Sequence, residues 1–107
     1  MININIAQRF SKTPFGRYAT DSPYSAEKFR DEILIPAFTD HPNETIVVDF
    51  TGVSLGLGSS FLEEAFGGLV RKGIDPNLIQ KNLKIVSKLP IYEQQIRVFV
   101  NSAAGVQ

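Results

Sequence analysis

Cysteine is absent from the chain, which excludes disulfides, thiolate metal ligands and a cysteine nucleophile. Histidine occurs once, as His41. A metal site needs three or four converging ligands, and with no HExxH, no paired histidines and no thiols there is no set to supply them. Net charge is lacking too: 11 basic residues balance 11 acidic ones. Nucleic-acid binders gather Lys and Arg on one face because phosphate contacts dominate their affinity, and no such cluster is present. No apolar run approaches the roughly 20 residues that span a bilayer, and MININIAQRF has neither the basic nor the apolar part of a secretory leader. The expectation is a cytoplasmic protein with no cofactor, no metal, no nucleic-acid partner and no membrane partner. A neutral chain also meets no bulk electrostatic barrier to self-association, so a homo-oligomer is compatible with the composition.

What is present suits one domain over residues 1–107. The size falls in the usual domain range, 43% of residues are apolar, and eight Phe and three Tyr supply bulk for a core. Ile2, Ile4 and Ile6 alternate with Asn3 and Asn5, the period of a strand with one wet face. A second short strand is expected over 15–20, and Asp21-Ser22-Pro23 is a loop. Ser25 is placed to cap a helix starting at Ala26, with Glu27 near the positive end of its dipole. Phe29, Ile33, Leu34 and Ala37 form its apolar stripe, and Pro36 is expected to kink or end it. The run TIVVDF, residues 45–50, reads as a central strand covered on both faces.

A glycine-rich stretch, Thr51 to Ser60, then leads into a helix expected over 61–72. Ser60 and Glu63 have the spacing of a capping box. Leu62, Ala65, Phe66, Leu69 and Val70 share one face, and Gly73 ends the helix. A strand over 83–87 and a last helix opened by Pro90 complete the pattern, with Val98 to Val100 readable as a strand instead. The fold class that follows is α/β, in the order ββαβαβα, with a mixed, partly parallel sheet packed with helices.

Catalytic arrangements fail one by one. The carboxylate pairs Asp31-Glu32 and Glu63-Glu64 occupy adjacent helix positions, which point about 100° apart and do not converge. Gly56-Leu57-Gly58 stands between strand and helix, where a phosphate loop belongs. The dinucleotide pattern, however, needs glycine at the position of Phe61, and the P-loop needs a Gly-Lys-Ser/Thr. Weak anion or nucleotide binding at a bare helix start is all that remains of that reading. Ser59 and Ser60 have no base assigned to them, so no enzyme is expected. Gly67 and Gly68 interrupt the second helix at about 1 kcal/mol each relative to Ala. They allow a close neighbour, either a partner or the domain's own sheet.

Two segments resemble the STAS domain, the fold of bacterial anti-sigma-factor antagonists. Ser25-Ala26-Glu27-Lys28-Phe29-Arg30 is similar to the start of the first STAS helix. Ile46-Val47-Val48-Asp49-Phe50, followed by a loop and Ser59-Ser60-Phe61-Leu62, is similar to the central strand and the Asp-Ser-Ser-Gly-Leu helix start. GRY, SxExFR, VVDFxGV and SSFLEEAFGGL bring the chain nearer still to a bacterial STAS-like group whose function is largely unassigned. The resemblance implies a non-enzymatic regulatory module that docks on another protein, such as a kinase with a histidine-kinase-like ATPase fold. It also implies phosphorylation of the second serine of the motif. In this chain that serine is Ser60 if the loop is one residue longer, or Ser59 without a gap. Ser60 is favoured because its register also aligns Leu62, Ala65, Phe66 and Leu69. Gly58 stands where the family has Asp, and Phe61 where it has Gly. The partner-facing residues expected on this reading are Leu55, Leu57, Gly58, Phe61 and Glu64, with Phe61 exposed. Against it stands a structural or oligomerisation domain in which the serines serve only as caps, with Ser60 bonded to the backbone near Glu63.

Overall fold

The computed structural model describes residues 1–54 and 56–105. Three strands, β1 (Ile2–Asn5), β2 (Ile46–Asp49) and β3 (Leu83–Val86), form one parallel sheet in the order β1-β2-β3. A short helix α1 (Ile6–Arg9) follows β1, with the Asn5 side chain accepting from Gln8 N–H at 2.9 Å. Helix α2 runs over 26–40 as Ala26–Phe29, a π-helical turn Arg30–Leu34, and Ile35–Asp40. Helix α3 runs over 59–71 in the same way, as Ser59–Leu62, a π-helical turn Glu63–Gly67, and Gly68–Arg71. Helices α4 (Pro76–Asn82) and α5 (Pro90–Ala103) flank β3.

The order is therefore βααβααβα, and the expected second strand is a loop. Residues 15–20 cannot extend because Gly16 takes φ +86°. Their carbonyls serve another purpose: Gly16 O accepts from Ala26 N–H at 2.9 Å and Arg17 O from Glu27 N–H at 3.0 Å, which satisfies donors of the first turn of α2. Ser25 caps α2 as expected, its Oγ accepting from Lys28 N–H at 3.3 Å. All strand pairs are parallel among the described residues, so the sheet is not mixed.

Successive parallel strands step in one direction across the sheet. With crossovers of a single hand, the connecting helices then fall on one face. The register agrees with this. Ile4 and Val48 pair on the inner face, as do Ile46 and Leu83, and all four are buried. Asn3, Val47 and Lys84 make one row of the outer face, and Asn5, Asp49 and Val86 the next. Lys84, Asn3 and Val86 are exposed and Val47 is half-buried. The expectation that β2 is covered on both faces is thus corrected: the molecule has two layers, and the polar residues of β1 and β3 had already marked the outer one.

Helices α2, α3 and α5 pack side by side, α3 between the other two, and α4 packs against α5 and β3. The stripe Leu62, Ala65, Phe66 and Leu69 of α3 is wholly buried, as are Phe29 and Leu34 of α2. Pro36 neither ends nor breaks α2. The π turn just before it, in which Ile35 N–H donates to Arg30 O, widens the helix by one residue. That gives the ring room to avoid the carbonyl four residues back. Helix α4 was not foreseen, although Asp75-Pro76 announces it: Asp75 Oδ1 accepts from Asn77 N–H at 2.9 Å and Pro76 occupies the first turn. Residues 98–100 are helical, within α5. At the free edge of β3, Arg97 Nη2 donates to Leu83 O at 2.6 Å.

The glycines of α3 are explained by the domain's own helices rather than by its sheet or a partner. A Cβ on Gly68 would lie 2.7 Å from Arg30 Nη1 and 2.9 Å from Arg30 Cδ. One on Gly67 would lie 2.7 Å from Glu63 Oε2 and 3.4 Å from the carbonyl oxygen of Phe99 on α5. Gly68→Ala gains about 1 kcal/mol of helix propensity but overpacks against a buried side chain, which costs about 1–3 kcal/mol. A net loss of about 1 kcal/mol is expected, with Gly67→Ala milder because its closest contact is the carboxylate end of the half-buried Glu63 side chain rather than the fully buried Arg30; urea denaturation of the two variants measures the difference.

Candidate functional site

The serines lie where β2 has left the sheet and the chain turns back into α3. Asp49 Oδ1 accepts from Thr51 N–H at 2.8 Å, and Gly52 takes φ +90°, which starts the turn. Ser54 N–H and Oγ both donate to Lys12 O at 2.8 Å, tying this loop to the segment after α1. Leu55 lies outside the described residues. Leu57 is buried between the exposed Gly56 and Gly58, so it anchors the loop from within.

Helix α3 begins earlier than the expected capping box. Its N-cap is Gly58, which has no side chain to cap with; its carbonyl accepts from Phe61 N–H at 3.1 Å and Leu62 N–H at 3.3 Å. Ser59 and Ser60 are therefore inside the first turn, and both are exposed. No hydrogen bond of the Ser60 hydroxyl is found among the described residues, and Glu63 is engaged elsewhere, so the capping box does not form. Phe61 is 1% exposed, with its ring 6.2 Å from that of Phe29. The expectation of an exposed Phe61 is corrected: it lies one turn before Ala65, on the buried side of α3 beside Leu62.

Glu64 is also buried, at 9% exposure, and belongs to an ion network. Its Oε2 accepts from Nη1 of Arg30 at 2.5 Å, and Arg30 itself is 2% exposed. Arg30 Nε donates to Asp31 Oδ1 at 2.7 Å. From the loop before α2, Arg17 Nη1 reaches Glu63 Oε1 at 2.5 Å and Glu64 Oε1 at 3.2 Å. Arg71, two turns down α3, contacts Glu63 Oε2 at 2.6 Å and Glu64 Oε1 at 3.7 Å. Three guanidinium groups thus neutralise three carboxylates where α2, α3 and the 10–25 loop meet.

The Arg71 hydrogen bond, joined by that of Arg17, holds the Glu63 carboxyl below its ordinary value near 4.5, against the opposing effect of burial. Arg17 and Arg71 are raised, chiefly by their hydrogen bonds to Glu63. Burial alone would lower Arg30, but Asp31 and Glu64 outweigh it and raise it.

Two further surfaces adjoin the serines. A shallow groove of about 420 Å³ runs between Ser59 and the outer face of α5, lined by Ile91, Gln94, Gln95, Val98 and Phe99. Ile91 and Val98 are 48% and 58% exposed. In the 10–25 loop, Phe15, Tyr18 and Tyr24 are exposed, and Tyr24 packs edge-on against Phe10 with centroids 5.6 Å apart. A cavity of about 200 Å³ opens beside Thr51, Gly52, Lys88 and Tyr92 at the ends of β2 and β3. His41 stands apart in its loop, half-buried, with Nδ1 3.0 Å from Glu44. Among the described residues no group of three or more His, Asp or Glu gathers as metal ligands, and no helix is long and apolar enough to cross a membrane.

Arg17, Arg30, Arg71 and the α5 groove were not foreseen. Gly68 was the available signal for Arg30, since an interior helix glycine marks a close neighbour. Ile91 and Val98, seven residues apart in a helix that also buries Tyr92, Ile96 and Val100, were the signal for a second apolar stripe.

Removing Arg30 leaves Oε2 of the buried Glu64 without its partner. Arg30→Met is expected to cost about 3 kcal/mol, and Arg30→Met with Glu64→Leu less than the sum of the two single changes; a double-mutant cycle in denaturant checks this. The sign for Glu63 follows from its lowered value. Its contribution is fully present above about pH 4.5 and is lost as pH falls through its folded value. Glu63→Gln is expected to destabilise by about 0.5–1 kcal/mol at pH 7, after allowance for solvent screening, and the gap between it and the parent chain closes on acidification below pH 4.5. Thermal melts across pH 3–7 record that convergence.

The family described as a STAS-like domain of unknown function (DUF4325) matches residues 25–88, well over half of the chain. That span runs from the cap of α2 to just past β3. No curated protein and no solved structure matches.

Proposed function

The chain belongs to this STAS-like family, and we propose that it is a non-enzymatic module that docks on a regulatory protein through the surface around the start of α3, with Ser60 or Ser59 as its control point. The observation that carries this reading is the state of the two serines. Both are exposed in the first turn of α3, and the cap position they were expected to fill belongs to Gly58. A serine kept only as a cap bonds the backbone; Ser60 makes no such bond among the described residues. Ser59 opens onto the apolar α5 groove, a surface of the kind that partner proteins cover. The docking face on this reading consists of Gly58, Ser59 and Ser60 with Ile91, Val98 and Phe99, while Phe61, Leu57 and Glu64 support it from beneath.

The expected partner is a kinase with a histidine-kinase-like ATPase fold. Its reaction transfers the γ-phosphoryl group of ATP to a serine Oγ: the new O–P bond replaces the anhydride bond, ADP leaves, and the hydroxyl proton passes to a base on the kinase. The product carries about −1.5 to −2 charges. A partner seated on the apolar groove then faces a desolvated dianion at its rim and dissociates.

Affinity purification from the native cell, followed by mass spectrometry, tests the reading. The parent chain is expected to recover an ATPase of this class, with phosphate on one serine. Ser60→Glu is expected to lose the partner, and Ser59→Ala with Ser60→Ala to retain it unphosphorylated. Complexes indifferent to all of these changes, with no phosphate found, would overturn the control-point role.

A further inference from the structure

The two serines are adjacent in sequence but face different neighbours. Ser59 lines the groove against Phe99 and Ile91 on α5. Ser60 lies about 100° around the helix. Residues one turn apart share a face, with Cβ atoms about 5–6 Å apart, so Ser60 stands over Glu64 with Glu63 close by. The cation already held at that turn is Arg17, with Nη1 2.5 Å from Glu63 and 3.2 Å from Glu64. Arg30 is committed to Glu64 and Asp31 beneath the surface, and Arg71 starts roughly three turns further down α3.

Resting on the reading of Ser60 as a modification site, we propose that Arg17 is the receptor for a phosphate on Ser60, and that the modification transfers the anchor of the 10–25 loop from the Glu63–Glu64 turn to the first turn of α3. A dianion placed one turn above two carboxylates is repelled by them unless a cation comes between. Arg17 is that cation. It is about one-third exposed, which leaves it free to re-pair. A guanidinium also binds phosphate through paired N–H donors, in charge-assisted bonds that compete well with a carboxylate. Glu63 keeps Arg71 and Glu64 keeps Arg30 when Arg17 leaves, so neither carboxylate is stranded.

Arg17 stands between Phe15 and Tyr18, exposed at 59% and 50%. The backbone there stays fixed to α2 through Gly16 O and Arg17 O, so it is the Arg17 side chain that swings. Modification of Ser60 therefore redistributes charge beside an exposed aromatic surface, whereas modification of Ser59 changes only the groove.

The test uses the full chain with phosphate installed during synthesis on Ser60, or on Ser59, and follows ³¹P chemical shift against pH. Free phosphoserine titrates near 6. Pairing with Arg17 is expected to lower the Ser60 phosphate by about one unit, and Arg17→Gln to remove that lowering. Arg17→Lys retains charge without the paired donors and is expected to recover part of it, and it serves in place of Arg17→Gln should that variant fold poorly. The Ser59 phosphate is expected to be unaffected by either change. A Ser60 phosphate that titrates at or above 6 and ignores Arg17 would overturn the pairing, as would equal sensitivity of both phosphates to Arg17. Because the phosphate is installed without a kinase, this outcome is separate from that of the partner experiment: the pairing holds or fails whether or not a cellular enzyme ever modifies Ser60.

Discussion

The contact on which the arrangement depends is the buried pair of Arg30 and Glu64. Two helices with apolar stripes slide past one another at little cost. A guanidinium and a carboxylate removed from water allow one register, since any displacement along the axis strands an ion. Here the pair sits within the two π turns. Arg30 opens the one in α2, Glu64 lies inside the one in α3, and Gly68 leaves the space that the guanidinium fills. Measured against an apolar replacement such a pair contributes little net stability. What it imposes is position. With α2 fixed on α3, Arg17 is brought from the preceding loop onto Glu63, and the first turn of α3 is held at the surface with its serines outward.

This dependence separates what the sequence disclosed from what it did not. Periodicity located the apolar face of α3 because Leu62, Ala65, Phe66 and Leu69 repeat at helical spacing, and burial alone decides their side. It located the cap of α2 because Ser25 and Glu27 carry a local signal that needs no distant partner. It placed the start of α3 wrongly because Ser60 and Glu63 have capping-box spacing, yet Glu63 is drawn away by Arg17 and Arg71, residues distant in sequence or further down the helix. Long-range charge pairing overrode a local preference. The same cause hid the burial of Glu64, while Phe61 is buried because it shares the core side of α3 with Ala65 and meets Phe29. The strand expected over 15–20 failed for a different reason: its carbonyls were needed to cap α2, and a single positive-φ glycine redirected them.

The serines themselves were legible and their surroundings were not. Two hydroxylated residues after a glycine-rich loop mark a helix start in any chain. Their assignment to two different faces, one toward α5 and one toward Arg17, is a product of tertiary packing. Conversely, Gly67 and Gly68 allow a close neighbour, a partner or the domain's own sheet, and the structure fills both places with its own helices. A residue type that permits close approach names no particular neighbour.

The parallel sheet bears on how the chain finds its shape. Ile2 pairs with Ile46, and Ile46 with Leu83, so no two strands are joined by a hairpin and each pairing closes a long stretch of chain. Closing such loops costs entropy before any ladder bond returns it. A sheet built only from distant pairings is intrinsically slow to form. Arg30 and Glu64 are far apart in sequence too, so the helical layer that covers the sheet carries the same cost. Until that layer closes over them, Ile4, Ile46, Val48 and Leu83 are open to water, and exposed apolar strands of this kind favour aggregation.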